Sequence, residues 1–368
     1  MQPPHDSVYA VHDHQETTVP KLPQLTNVEN YRACEADLKT SADERQYWVD
    51  LFRGHFDVLA GAIAEQYPET SAATLAEFRG EYLAAMRRIK TEPDQFERID
   101  ILVFDKLRCE VQRRYGFHDP YLAVKKRENR LAIELLPDLL AELDATPEDE
   151  VVEKLARGLM AGNIFDLGAA AAIEQYNSHN ADFRVSRAAQ PERPWLVDGL
   201  DAWSERWLRG SRYEHVAFFV DNSGSDVCLG CIPLTRWMLC RGARVTLAAN
   251  SGPALNDVTA PELAPLIHKA AANDSILAEA LHDERLSVVA SGGWAPLLDL
   301  ADLSDECVNA VTDADLIILQ GMGRAIESNY SAAFACDSLR SAVLKDEFVA
   351  RSLGGKLFDC VFRLEPGV

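Results

Sequence analysis

The stretch FVDNSGSDVCLG, residues 219–230, decides how the chain is read. An apolar run ends abruptly in Asp221 and Asn222, turns through a glycine and continues into an apolar segment that holds Cys228 and Cys231. A strand, a tight turn and a helix start produce this texture, and a metal site, a redox pair, a nucleotide loop and a plain strand-to-helix turn all fit it.

The sequence on either side extends the pattern. HVAFFV, ARVTLAA, LSVVAS, DLIILQ, SAVLK and KLFDCVFRL read as strands. DVCLGCIPLTRWMLCRG, PELAPLIHKAAA and DEFVARSLGG read as the helices between them. This alternation predicts an α/β unit over residues 183–368, Rossmann-like with three αβα layers and a mostly parallel sheet covered on both faces. Upstream, the segments from Ser41 onward place apolar residues three and four apart, with Ser and Thr at plausible caps, which predicts an all-helical domain over residues 26–182. Its last helix is expected to run through RGLMAGNIFDLGAAAAIEQY, where glycines bracket Asn163 and Asp166. Residues 1–25 are polar and proline-bearing and are expected to be a loosely held segment.

Composition excludes several functions. The 368 residues carry 58 acidic against 37 basic side chains, a net charge of -21, which repels nucleic acid and anionic membrane surfaces. No apolar run is long enough to span a membrane, and the start lacks the marks of a secretory signal, so a cytoplasmic location is expected. Eight cysteines without a secretion signal read as reduced core thiols, Cys228 and Cys231 included; a thiol-redox pair is the alternative. Serine-hydrolase elbow, phosphate-loop and HExxH patterns are absent. His215 and His268 read as surface or helix-face residues. Nothing in the sequence fixes an oligomeric state.

In parallel sheets of this kind ligands bind outside the carboxyl ends of the strands. There the sequence sets Asp221 and Asn222, Asn250 and Asp257, Gln320 with GMGR, and Lys345. Oxygen donors from Asp and Asn suit a hard or borderline divalent cation such as magnesium or manganese, with Arg324 and Lys345 available to neutralise a phosphate. Ordinary turn formers and caps explain the same residues equally simply. Asp226 is expected to cap or start the helix that follows rather than to serve the site.

FVDNSG, AANSGPALNDVT and ADLIILQGMGRAIESNY resemble the metal-dependent damage-control phosphatases, formerly domain of unknown function 89. NYRAC, YGFHDPYLAVKKREN, AGNIFDLG, RPWLVD and the segment from Cys336 to Phe362 resemble the same subfamily, which includes plant stand-alone enzymes and a domain fused to pantothenate kinase-like proteins. The resemblance implies a phosphatase of small phosphorylated metabolites that uses a divalent cation (manganese, magnesium, cobalt or nickel). Asp221, Asn222 and Asp257 match its cation-binding and catalytic positions, with Asp221 either ligand or nucleophile. Asn163, Asp166, Arg324 and Lys345 match its substrate-side positions. Gln320 stands where the subfamily usually has glutamate; an amide can hydrogen-bond but supplies no charge. The fused relatives imply 4'-phosphopantetheine or its oxidised derivatives as substrate. A sugar-phosphate phosphatase and a non-catalytic phosphometabolite binder are the alternatives.

Overall fold

Side chains along a strand alternate between its two faces, and in strand β2 (His215–Phe219) this divides the apolar residues between two cores. Val216, Phe218 and Val220 enter one core; Ala217 and Phe219 enter the other. Burial on both faces is why such strands read as continuous apolar runs instead of alternating ones. The computed structural model describes residues 22–164, 183–210 and 213–368.

The seven strands are β1 (Val197–Asp198), β2, β3 (Arg244–Ala249), β4 (Leu286–Ala290), β5 (Leu316–Gln320), β6 (Asp337–Val343) and β7 (Cys360–Glu365). They lie in the order β1-β7-β6-β5-β2-β3-β4, and every pairing is parallel except β6 with β7. The chain steps from β2 to β3 in one direction and from β5 to β6 in the other, so the switch point of the sheet lies between β2 and β5. A crevice opens at such a point, and Asp221 and Gln320 stand at its two sides.

Helices α1 (Ala42–Gly54), α2 (Phe56–Gln66), α3 (Ala72–Thr91) and α4 (Ile101–Arg114) share their core with Ala217, Phe219, Ile317 and Leu319 on one face of the sheet. Helices α5 (Leu122–Asp144) and α6 (Glu148–Asn163) share theirs with Val216, Phe218 and Ile318 on the other. Ser41, Ser71 and Asp100 accept hydrogen bonds from the first turns of α1, α3 and α4, as the sequence of the first two suggests. Short elements that the sequence reading passed over include α7 (Phe183–Ala188), β1 and α8 (Leu200–Leu208), in and beside the proline-bearing connector. The remaining helices are α9 (Ile232–Cys240), α10 (Ala260–Ala271), α11 (Ser275–His282), α12 (Asp305–Val311) and α13 (Glu347–Ser352).

Leu22 and Leu25 are buried, and Gln24 donates to the Val311 carbonyl at 2.7 Å. Residues 1–21 and the expected continuation of α6 beyond Ile164, including Asp166, lie outside the described residues. Among the described residues no helix is long and apolar enough to cross a membrane.

The histidine reading requires one correction. His268 is exposed on α10, but His215 is buried within β2, where its ring bonds Asp313 at 2.8 Å and Thr246 at 2.9 Å. Its Nδ1 also lies 3.0 Å from Arg244 and can serve only one of the two neighbours at a time; burial pushes its pKa down, and a neutral ring that donates to Asp313 and accepts from Thr246 satisfies the site. The polar neighbours that make a histidine tolerable in a strand come from β3 and the loop before β5, which local sequence cannot reveal.

Candidate active site

Beyond Phe219 the chain leaves the sheet, and two loops run side by side. Asn222 and Asp257 form an isolated antiparallel bridge, Val258 donates to the Asp221 carbonyl at 3.0 Å, and Ser223 donates to Asn256 at 2.9 Å. Gly224 has φ +76°, a left-handed conformation that glycine adopts freely, and it faces Glu128 too closely for a side chain to fit.

One helix holds both loops. Asn129 of α5 accepts the Gly224 N–H at 2.6 Å. One turn earlier, Lys125, fully buried, bonds Asp119 at 3.0 Å and Glu262 at 2.8 Å. Glu262 in turn accepts from the Thr259 N–H at 3.0 Å in a capping box, which fixes the end of the Asp257 loop.

The polar groups converge at the switch point. The Arg324 guanidinium bonds the Asp221 carboxylate, Asp257 Oδ2 at 2.8 Å and Asn250 Oδ1 at 3.0 Å, and is 2% exposed. Burial opposes its charge, but Asp257 and Asp221 outweigh that and raise its pKa. Asn250 also donates to Asp257 Oδ2 at 3.0 Å. Asn163, at the end of α6, donates to Asp221 Oδ2 at 2.9 Å, while Lys345 donates to the Asn163 carbonyl at 2.8 Å. Gln320 Oε1 accepts the Asp221 N–H at 2.9 Å.

Thus Asp221, Asn222, Asp257, Asn163, Arg324, Gln320 and Lys345 form one buried cluster. Asp221, Asp257 and Lys345 reach a cavity of about 330 Å³. Tyr47, Trp48 and Phe52 of α1, Asp105 and Arg108 of α4, Leu297, Met322 and the acidic side chains of Glu327, Asp346 and Glu347 form other parts of its wall. The walls contributed by α1 and α4 went unread in the sequence, because nothing local marks which helical face meets a crevice.

Asp226 is the clearest departure from expectation. It makes no helix-capping bond; it is fully buried and accepts from Asn163, from the Asn222 backbone and side chain, and from Gln320. Burial first, and the negative charge of Asp221 second, push its carboxyl above the ordinary range. Its place follows from a wide, π-type turn over Asp226–Cys231, a distortion that recurs at functional sites and has no sequence signature.

The donors suit a hard cation: the carboxylates of Asp221 and Asp257, the amide of Asn222 and, beside them, the buried Ser223 hydroxyl, which has no hydrogen-bond partner. Among the described residues no three His, Cys, Asp or Glu side chains form a metal-ligand group, so a cation here would draw on Asn222 as well as on carboxylates. Cys228 and Cys231 are buried core thiols; burial pushes Cys228 up to about 12 and Cys231 well above its usual value. Replacing Cys228 by Ala and Cys231 by Val is expected to leave turnover unchanged at a stability cost of about 1 kcal/mol, measured by steady-state kinetics and chemical denaturation. A collapse of turnover in a folded double variant would restore the thiol-redox reading.

This fold and cluster define an α/β protein with a buried polar cluster at its sheet switch point. The damage-control phosphatase ARMT1-like domain model matches residues 56–361, and the chain belongs to that family. It is 35% identical to an Arabidopsis thaliana damage-control phosphatase, over 95% of this chain and 98% of that one. It is 36% identical to Arabidopsis thaliana pantothenate kinase 2 and 33% identical to the Mus musculus 4'-phosphopantetheine phosphatase, in each case over 96% of this chain. The chain spans 42% of the former protein and 49% of the latter. A DUF89 family protein from Pyrococcus horikoshii shares the fold, with a TM-score of 0.58 and 16% identity, over 86% of this chain and 96% of that one.

Proposed function

We propose that the chain is a divalent-metal-dependent phosphomonoesterase acting on small phosphorylated metabolites, with 4'-phosphopantetheine or its oxidised derivatives as the substrate class. The observation that carries the reading is the convergence of Asp221, Asn222 and Asp257 with Arg324 and Lys345 in one buried cluster, of which Asp221, Asp257 and Lys345 reach a common cavity. Asp221, Asn222 and Asp257 are assigned to the cation, which when bound polarises a phosphoryl oxygen and activates water. Arg324 and Lys345 are assigned to phosphate oxygens, with Asn163 orienting Lys345 through its carbonyl and amide oxygens. Asp166 keeps the substrate-side role that the family resemblance implies.

The cavity wall favours a substrate with one phosphate and an uncharged remainder. Glu327, Asp346 and Glu347 line it, while Asp105 is paired with Arg108, so a second anionic group would meet mostly like charge, whereas Tyr47, Trp48 and Phe52 offer aromatic surface to a neutral chain. The name of the mouse relative agrees with such a substrate. All eight cysteines are free, which suits a reducing, cytoplasmic setting.

The test is a phosphate-release screen over 4'-phosphopantetheine, its oxidised forms and sugar phosphates, with manganese, magnesium, cobalt or nickel in turn. Release from the pantetheine phosphates that stops on chelation is the expected result. Metal-dependent release confined to sugar phosphates would move the substrate assignment, and ligand-induced thermal stabilisation without release from any compound would favour a non-catalytic binder.

A further inference from the structure

We propose that Asp226 and Gln320 form a positioning pair that fixes the side-chain amide of Asn222, turning its carbonyl oxygen away from the neighbouring carboxylates and toward use as a cation ligand. The inference rests on the metal-dependent reading above and concerns residues outside the assigned ligand set.

Two backbone donors settle the directions of the hydrogen bonds. The Asp221 N–H can only donate, so the Gln320 atom facing it at 2.9 Å is Oε1. Nε2 must then face Asp226 Oδ1, at 2.5 Å. The Asn222 N–H likewise donates to Asp226 Oδ2 at 3.1 Å. The Asn222 amide is oriented by two acceptors, since its Nδ2 reaches Asp221 Oδ2 at 2.9 Å and Asp226 Oδ2 at 3.1 Å. Asp226 Oδ2, which already accepts the Asn222 backbone N–H, accepts from the side-chain nitrogen as well, so the amide nitrogen is held on that side and the carbonyl oxygen faces away. Asn163 is oriented in the same way, by donating to Asp226 at 3.0 Å, which presents its Oδ1 to Lys345.

The arrangement is built into the backbone. A side chain at Gly162 would lie 2.7 Å from the Asp226 Cα, so α6 approaches the start of the π-type turn as closely as glycine permits and delivers Asn163 to the same carboxylate.

The pair can be exchanged with its charge conserved. In Asp226→Asn alone, the new amide nitrogen opposes either Gln320 Nε2 or the donors of Asn222 and Asn163. Turning Gln320 over would set its nitrogen against the Asp221 N–H. No rotamer removes every clash of donors. In Asp226→Asn with Gln320→Glu, the introduced amide donates to the new carboxylate, whose second oxygen accepts the Asp221 N–H, and the oxygen of that amide takes the remaining donors.

The experiment measures Mn²⁺ binding to the full chain without substrate, by calorimetric titration and by the Mn²⁺-dependent rise in Tm. Asp226→Asn is expected to weaken Mn²⁺ binding by about 10- to 100-fold, as loss of a group that orients a ligand does. The double variant is expected to recover most of that loss. Wild-type affinity in folded Asp226→Asn would overturn the pairing role. Should Asp226→Asn fail to fold, the double variant decides: recovered Mn²⁺ binding supports the pair and unrecovered binding, folded or not, overturns it. A wild-type chain that does not bind Mn²⁺ would overturn the metal reading and this proposal together.

Discussion

Asp221→Ala and Asp257→Ala each reduce metal-dependent hydrolysis of p-nitrophenyl phosphate by roughly a thousandfold or more, the expected result if both carboxylates hold the cation. Such an ion supplies several kcal/mol of charge stabilisation in the transition state, and each ~1.4 kcal/mol is a factor of ten in rate. The two substitutions differ in what they leave behind. Asp221→Ala removes one of two acceptors for Asn163 and Asn222, which keep Asp226, and leaves Arg324 bonded to Asp257 and Asn250. Asp257→Ala leaves Arg324 with Asp221 and removes an acceptor from Asn250. In each variant the buried guanidinium keeps one carboxylate, so the fold is expected to survive, as circular dichroism and a cooperative melt would register. Retained hydrolysis in either folded variant would remove that residue from the assignment. Trapping a phosphoaspartate at Asp221 during turnover would make it the nucleophile as well.

Gly321→Ala has the second large effect, and it acts through geometry alone. Gly321 follows β5 with φ +96° and ψ 152°, a region essentially reserved for glycine, where another residue costs about 1–3 kcal/mol. A methyl group there would also overlap the Asp221 carboxylate. The variant therefore loses stability and displaces a proposed cation ligand, and a shift of about 1 Å at a reacting centre can cost on the order of a hundredfold. Gly354→Ala is the control. Gly354 also has positive φ, +74°, but a methyl group there meets nothing within 4 Å. It is expected to lower Tm with turnover intact. Equal turnover in both variants would show that the Gly321 contact with Asp221 has no role in the reaction.

The sheet was readable because its strands are buried on both faces: HVAFFV and DLIILQ are continuous apolar runs ending in polar residues. Asp221, Asn222, Asp257, Gln320 and Lys345 were selected by the rule that ligands gather at strand ends, and the structure brings them together. Asp226 escaped because an acidic residue at a helix start has an ordinary explanation, and only the π-type turn carries it into the cluster. A second π-type turn over Met322–Glu327 contains Arg324, so two of the buried charges stand on turns of unusual winding. Helical periodicity identifies which face of α1 is apolar. It does not say that Tyr47 and Trp48 border a cavity, since that depends on α1 meeting residues far along the chain such as Asp346 and Glu347.

The brace formed by α5 has a wider consequence. Lys125 and Asn129 are four residues apart on one rigid helix, about 6 Å at the usual helical rise, and each governs a different loop of the cluster. The recognition wall comes from α1 and α4, which belong to the core on the opposite side of the sheet. On the proposed assignment, Trp48 or Phe52 can be remodelled for a new metabolite without altering the separation of the two carboxylate-bearing loops, whereas Tyr47, bonded to Asp346 beside Lys345, ties the wall to the cluster.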